Sequence, residues 1–236
     1  MHSLYTAMLQ DKSLQRLQEY FCGGPSETLA YGLGGSQKHA ALAACYQKKP
    51  QPTVIIVHST ESLEEWRENL ALLLPEVSVV ELPEMDMLQV QAQARSLERS
   101  ARRMDVLGRL MRHEPVIVLA KAVAAVQKGM SPAEFQRLAL SVKLGEIMPR
   151  EKLLQRLADL GYERTEEVER VGQFSARGGI VDIFAINALA PVRLEFFDDE
   201  IESLREFDLA TMRSDKSAGL GEFTVLPLAQ TDVSGR

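Results

Sequence analysis

The sequence of 236 residues predicts an α/β domain with a parallel sheet, followed by a smaller α+β domain with an antiparallel sheet. In the first part, residues 54–57, 77–82 and 116–119 form short apolar strands separated by helical runs, which is the pattern of a parallel sheet covered by helices. In the second part, one helix is accompanied by several short strands, which is typical of an antiparallel sheet. We therefore place two domains at residues 1–137 and 138–236.

The first domain is predicted to begin with a helix, a connector and a glycine-rich turn. Met1 to Tyr20 mixes charged and apolar residues, which favours an amphipathic helix over a secretory signal. Thr28 to Tyr31 predicts a short strand, and residues 40–47 predict a helix. A strand, a glycine-rich turn and a helix in this order are the usual setting of a phosphate-binding loop.

The glycine-rich turn departs from the phosphate-loop pattern G-x-x-x-x-G-K-[ST] at two positions. Gly32 and Lys38 occupy their places, but Gln37 replaces the second glycine and His39 replaces the hydroxyl that binds Mg²⁺. No acidic pair of the Walker B type follows any predicted strand. We therefore predict a degenerate P-loop with no bound cofactor and no catalytic residue. The alternative is a nucleotide-binding motor fragment that uses Lys38.

The remaining elements of the first domain follow the same rhythm. Ser59 caps a helix that runs to Leu74, and residues 91–113 form a long helix. Glu98 and Asp105 offset part of its positive charge, so a solvated face is favoured over a phosphate-binding face. Whether this helix contacts DNA in a longer protein stays open. The helix has six arginines: Arg95, Arg99, Arg102, Arg103, Arg109 and Arg112.

The second domain is predicted to contain a helix over residues 150–160 that ends at Gly161, because glycine favours the left-handed conformation at a helix C-terminus. Residues 172–208 predict three strands joined by two turns. Ala210 to Gly221 is expected to be a loop. The predicted strands of the domain span residues 140–144, 180–186, 192–197, 201–207 and 223–228.

The strand over residues 192–197 suggests an interaction surface. Side chains alternate along a strand, so Leu194 and Phe196 share one face while Arg193, Glu195 and Phe197 share the other. If the first face is core, Phe197 is exposed beside Arg193, and this is the composition of an interface hot spot. The alternative, in which Phe197 is buried under a helix, stays open on the pattern alone.

Composition excludes several classes of protein. No apolar stretch is long enough to span a membrane, and we expect a cytoplasmic protein. Two cysteines predict reduced thiols, and four scattered histidines predict no metal site. Residues 138–230 contain 11 basic against 17 acidic residues. An acidic domain repels phosphate backbones, so the second domain is expected to bind a protein and not nucleic acid.

Two segments, RGGIVDIF at residues 177–184 and PVRLEFFDDEIESLR at residues 191–205, resemble the second domain of bacterial transcription-repair coupling factors. They resemble more distantly the matching domain of the excision nuclease subunit UvrB. In this family the second domain docks onto UvrA, so that a stalled transcription complex is passed to nucleotide excision repair. The resemblance implies that the docking residues here are Arg177, Arg193 and Phe197.

The resemblance covers nearly the whole chain and implies that the first domain is RecA-like with a degenerate phosphate loop. The family continues for several hundred residues beyond these two domains. The resemblance therefore implies RNA polymerase, DNA and an intramolecular C-terminal domain as further partners of the full-length protein, and an ATP-dependent DNA translocase outside this region. The C-terminal domain is expected to cover the docking surface as a brake. For this chain the resemblance implies a non-catalytic module that recruits UvrA.

Overall fold

A computed structural model of the chain describes residues 10–24, 27–85, 93–127 and 129–228. The protein is a mixed α/β protein that divides into two compact units. The first unit comprises Met1–Leu82 and Arg109–Val126, and the second comprises Pro83–Gly108 and Gln127–Arg236. The domain boundary predicted after residue 137 stays a prediction.

The helices and strands follow one another along the chain much as the sequence predicts. The helices are α1 (Lys12–Cys22), α2 (Gln37–Lys48), α3 (Thr60–Leu73), α4 (Gln93–Met111), α5 (Ala122–Val126), α6 (Pro132–Leu138) and α7 (Arg150–Asp159). The strands are β1 (Thr53–Val57), β2 (Val79–Leu82), β3 (Ile117–Lys121), β4 (Leu140–Lys143), β5 (Glu163–Arg164), β6 (Gln173–Arg177), β7 (Ile180–Ile183), β8 (Val192–Phe197), β9 (Glu200–Phe207), β10 (Ser214–Gly219) and β11 (Glu222–Val225). Within the described ranges, no helix is long and apolar enough to cross a membrane.

The first unit contains a parallel sheet of three strands in the order β1-β3-β2, which confirms the predicted parallel arrangement. Central strand β3 is buried on both faces from Ile117 to Ala120. On one face, Ile55 and Leu119 pack against the apolar side of α2 and α3 through residues such as Tyr46 and Leu63. Burial of this apolar surface is what holds the helices on the sheet.

Local signals set the helix starts. The Ser59 hydroxyl accepts a hydrogen bond from the Ser62 backbone N–H at 3.2 Å, so α3 begins at its predicted cap. At α6, Ser131 and Glu134 form a reciprocal capping box, with Pro132 in the first turn. Each cap satisfies backbone N–H groups that the helix itself leaves without partners.

The second unit contains an antiparallel sheet in the order β10-β9-β8-β7-β6, extended by the short parallel strand β5. A separate two-stranded sheet pairs β11 with β4. The core lies between α7 and the main sheet, where Leu153 and Leu157 meet the buried residues Phe174, Val181 and Leu194. The predicted α+β arrangement of this part is therefore confirmed.

The strand predicted at Thr28 to Tyr31 is wrong. Residues 27–34 have no regular secondary structure, and the side chains of Leu29 and Tyr31 are 85% and 88% exposed. The pattern failed because a strand needs backbone partners, and this segment pairs with no strand of the described sheet. Helix α2 therefore follows a glycine-rich turn without the strand that precedes a phosphate-binding loop.

Three strands of the second unit, β5, β6 and β10, were not predicted. Strand β6 was overlooked because its Gln173 and Ser175 are buried polar residues, which hide the apolar alternation. The loop expected from Ala210 to Gly221 contains β10, which pairs irregularly with β9. Its sequence lacks the β-branched and aromatic residues that favour strands, so the pairing comes from the partner strand.

Candidate protein-docking surface

The inner face of the main sheet matches the face predicted from strand alternation. Leu194 of β8 pairs with Val181 on one side and Leu204 on the other, and all three residues are buried. Phe196 is partly buried and packs against the same core. Directly paired residues point to the same face, so Arg193, Glu195 and Phe197 lie on the opposite side of β8. The predicted division of the two faces is confirmed.

Phe197 is exposed at the end of β8. Its side chain retains 65% of its accessible surface. The alternative in which this ring is buried under a helix is therefore wrong. A tight turn follows directly at Asp198 and Asp199, where Asp198 has a positive φ of 52°, and β9 then begins at Glu200. The hairpin holds the aromatic ring at a fixed position on the rim of the sheet.

The two glycines before β7 bring the neighbouring hairpin against this rim. Gly178 has a φ of 56°, a conformation that favours glycine. A Cβ atom added to Gly179 would lie 2.8 Å from the Phe196 carbonyl oxygen, closer than a side chain tolerates. The Phe196 N–H donates to the Gly179 carbonyl at 2.7 Å. The glycine pair thus fixes the strand segment that presents Phe197.

Arg193 lies against the sheet and is largely covered. Its Nε and Nη2 donate to the two carboxylate oxygens of Asp182 at 2.7 and 2.8 Å. Its Nη1 donates to the Met212 carbonyl at 3.2 Å, and its guanidinium carbon lies 4.6 Å from the centre of the Phe207 ring. Side-chain exposure is 16% for Arg193 and 2% for Asp182. Arg193 therefore makes a two-pronged bond to a carboxylate of its own chain.

Sequence reasoning overlooked the role of Asp182. This residue is the only charged side chain of β7, and the register places it directly opposite Arg193. The signal was a lone acidic residue inside an apolar strand, but its meaning depends on which residue of the next strand lies opposite. Hydrogen bonding to Asp182 raises the pKa of Arg193, so the guanidinium keeps its charge despite its burial.

Arg177 lies at the end of β6 and is exposed. Its Nη1 is 3.0 Å from Glu167 Oε1, and both side chains are more than half exposed. Arg177 and Glu167 line an open cleft of about 840 Å³ that also includes Glu166 and Glu169. An exposed ion pair of this kind contributes little to stability, so Arg177 can exchange Glu167 for another carboxylate at small cost.

The residues of the predicted degenerate P-loop bind one another and the next helix. The Gln37 side chain accepts a hydrogen bond from the Gly34 N–H at 3.1 Å. Lys38 Nζ lies 3.2 Å from Glu65 and 5.9 Å from the centre of the Trp66 ring. A backbone N–H and a lysine that would contact phosphates are thus already engaged. Gly32 has a φ of 81°, as the turn requires.

His39 is fully buried between α2 and α3. Its ring meets Trp66 edge-on with centroids 4.3 Å apart, and its Nε2 is 3.6 Å from Glu65 Oε1. Burial lowers the pKa of His39 and outweighs the opposing effect of Glu65, while Lys38 lowers it further. The neutral imidazole is thus part of the core.

The arginine-rich helix α4 has its basic groups engaged within the chain where the structure describes them. Arg102 pairs with Glu98 at 2.6 Å, and Arg109 donates to the Ser78 hydroxyl at 3.1 Å. Arg103 is only 4% exposed and donates to the Pro83 carbonyl at 2.7 Å, so it does not belong to the solvated face that we expected. The side chain of Arg95 lies outside the described residues.

The two cysteines and the acidic and histidine side chains are the candidate metal ligands or reactive thiols of the described ranges. Over these residues, no group of three His, Cys, Asp or Glu side chains could hold a metal ion. Cys22 and Cys45 are free thiols, and burial raises the pKa of Cys45 to about 11. A buried thiol that keeps its proton at neutral pH is unreactive.

Comparison with known proteins identifies the class of the second unit first. Residues 140–230 match the family described as the UvrB interaction domain. This range contains the main sheet, its exposed rim and all three predicted docking residues. This part of the second unit is therefore a domain of the UvrB interaction type.

Relatives of the whole chain are more specific. It is 33% identical over 192 residues to a transcription-repair-coupling factor from Bacillus subtilis (strain 168), and the aligned region covers 81% of this chain and 16% of the relative. It is 28% identical over 212 residues to a transcription-repair-coupling factor from Staphylococcus aureus (strain USA300), and the aligned region covers 89% of this chain and 18% of the relative. The chain thus spans about one sixth of the length of these curated relatives. The chain belongs to the transcription-repair-coupling factor family.

Replacing Arg193 is expected to destabilise the second unit. Arg193→Met leaves the buried carboxylate of Asp182 without its partner, and breaking such a pair costs about 3 kcal/mol or more of unfolding free energy. The double variant Arg193→Met, Asp182→Leu removes both charges and should recover most of this loss. Urea denaturation of the three proteins measures the effect. Equal stability of Arg193→Met and the wild type would contradict the structural role of the pair.

His39 is expected to make the stability of the first unit depend on pH. Its pKa in the folded protein lies below the unfolded value of 6.5, so as the pH falls the unfolded chain binds the proton first. Stability is therefore greatest above pH 6.5 and decreases below it, by at most about 1.4 kcal/mol at pH 5.5. Denaturation at pH 8 and 5.5 measures the loss of unfolding free energy between the two pH values. The loss that His39 causes should be absent from His39→Leu, whereas His58→Gln, which changes an exposed histidine, should retain it. Identical pH profiles for His39→Leu and the wild type would exclude the effect.

Proposed function

We propose that the second unit is a UvrA-docking module of a transcription-repair coupling factor. In this role it recruits nucleotide excision repair to a stalled RNA polymerase. The observation that carries the proposal is Phe197, an aromatic side chain that is 65% exposed on the rim of a well-packed sheet. An exposed aromatic ring on a rigid element provides apolar area that a partner can bury without ordering a mobile segment. The match of this region to an interaction domain supports the same role.

The three predicted docking residues would act in different ways. Phe197 supplies the apolar contact, and Arg177 supplies an exposed charge whose bond to Glu167 can be exchanged for one to UvrA. Arg193 is covered, so we propose that it acts mainly by fixing the sheet face with Asp182, with only the outer edge of its guanidinium available to UvrA. In these roles Arg193 would contribute to docking even though Asp182 compensates its charge.

We extend the proposal to the rest of the protein by family membership. The first unit would be a RecA-like domain with a degenerate P-loop, joined to the docking module at residues 137/138, and neither domain would be catalytic. In the full-length protein the partners would include RNA polymerase, DNA and an intramolecular C-terminal domain. ATP-dependent DNA translocation would belong to other parts of that protein. The name of the relatives, transcription-repair-coupling factor, supports the overall role.

Titration with purified UvrA tests the docking proposal. Phe197→Ala should weaken binding by about 2 kcal/mol or more, because a buried aromatic anchor is removed from the interface. Its melting temperature should stay close to that of the wild type, because the ring is exposed in the free protein. Leu189→Ala is the matched control, since Leu189 is fully exposed in the same unit. Phe197→Ala binding as tightly as Leu189→Ala would exclude Phe197 from the interface, and a folded wild type that does not bind UvrA would remove the proposal.

Calorimetry with MgATP tests the competing enzyme hypothesis. No heat of binding is expected at millimolar nucleotide, because Lys38 is paired with Glu65 and no hydroxyl stands at the position of His39. Glu65→Gln frees Lys38 from its partner and is the sharper variant, since it should still fail to bind. Saturable binding by the wild type would contradict the proposal of a non-catalytic first unit.

A further inference from the structure

Ile147 is a second exposed apolar side chain on the rim that carries Phe197. It is 76% exposed, although it lies on a segment that is firmly held. The Gly145 N–H donates to the Ile201 carbonyl at 2.8 Å, the Met148 N–H donates to the Asp199 carbonyl at 2.7 Å, and the Ile201 N–H donates to the Glu146 carbonyl at 3.0 Å. These bonds attach the segment to the start of β9, so the exposure of Ile147 is a fixed feature of the surface.

The backbone register places Ile147, Glu200 and Phe197 in one row. Glu200 pairs with Phe197 across the hairpin, and Ile147 forms an antiparallel bridge with Glu200 on the other side. Directly paired residues point to the same face, so the three side chains project together, with the carboxylate between the two apolar groups. Two strand spacings separate Ile147 from Phe197, which is about 10 Å between their Cα atoms.

The turn beside this row and the start of β9 are acidic. Asp198, Asp199, Glu200 and Glu202 are all exposed. Within the part of the chain that the structure describes, none of these four carboxylates forms an ion pair or a side-chain hydrogen bond. A second copy of the chain would bring the same acidic rim and be repelled, so the row suits a basic partner.

We propose that Ile147, Glu200 and Phe197 form a clamp for one arginine or lysine side chain of UvrA. The stem of the basic side chain would lie between Ile147 and Phe197, its cation would face the aromatic ring, and its charge would meet the Glu200 carboxylate. The gap of about 10 Å between the two apolar residues matches a long side chain in van der Waals contact with both. The inference rests on the proposed docking function and adds Ile147 and Glu200 to its binding residues.

Variants of the full chain, titrated with UvrA, test the clamp. Ile147→Ala should raise Kd about tenfold, whereas Ile147→Val, which keeps most of the apolar surface, should stay within about twofold. Glu200→Gln should raise Kd about fivefold at low salt, and the difference from the wild type should shrink at 0.5 M salt, roughly as screening predicts. Both sites are exposed, so thermal melts should not change.

Matched controls separate this inference from the docking function itself. Leu189→Ala removes a fully exposed leucine of the same unit, and Glu206→Gln removes an exposed carboxylate at the far end of β9. One outcome would overturn the clamp and leave the docking function in place. In that outcome Ile147→Ala and Glu200→Gln bind UvrA as tightly as these controls, while Phe197→Ala loses binding. A folded wild type that does not bind UvrA would overturn both.

Discussion

The second unit depends on the ion pair between Asp182 and Arg193 at the centre of its main sheet. The pair is almost entirely covered and makes two parallel hydrogen bonds across neighbouring strands. A slip of one residue between β7 and β8 would turn the apolar residues out of the core, and a slip of two would leave each buried charge without its partner. The pair therefore allows only one register for these strands, and that register determines which side chains reach the rim.

The rim follows from this register. Arg193 is fixed and covered, and the residues that follow it on the same face of β8 are Glu195 and then Phe197. Phe197 lies beyond the covered part of the sheet. The close approach of Gly179 to the Phe196 carbonyl fixes the strand end from one side, and the hydrogen-bonded segment at Ile147 fixes it from the other. The exposed apolar groups are thus held by backbone geometry. Such a surface loses little conformational freedom when it binds, which favours its use as a docking site.

In the first unit, the residues of the glycine-rich turn and the start of α2 contact one another and α3. Lys38 faces Glu65, Gln37 satisfies a backbone N–H of its own turn, and His39 is enclosed beside Trp66. These three side chains are therefore engaged within the first unit. The segment before the turn forms no strand, which removes the rigid support such a loop needs.

The sequence by itself determined the fold class, most element positions and the face of β8 that carries Phe197, because apolar periodicity and turn residues act locally. Whether Phe197 is exposed or buried under a helix was decided only by the structure. It missed the two-residue strand β5 and also β6, whose buried polar residues hide the apolar alternation. It missed β10 because the residues of this strand lack strand preference and pair only because β9 is present. Tertiary structure alone decided that Arg193 binds Asp182 and that Ile147 joins Glu200 and Phe197. These contacts join residues 11 to about 50 positions apart, and only the strand register, a property of the assembled sheet, brings such residues together.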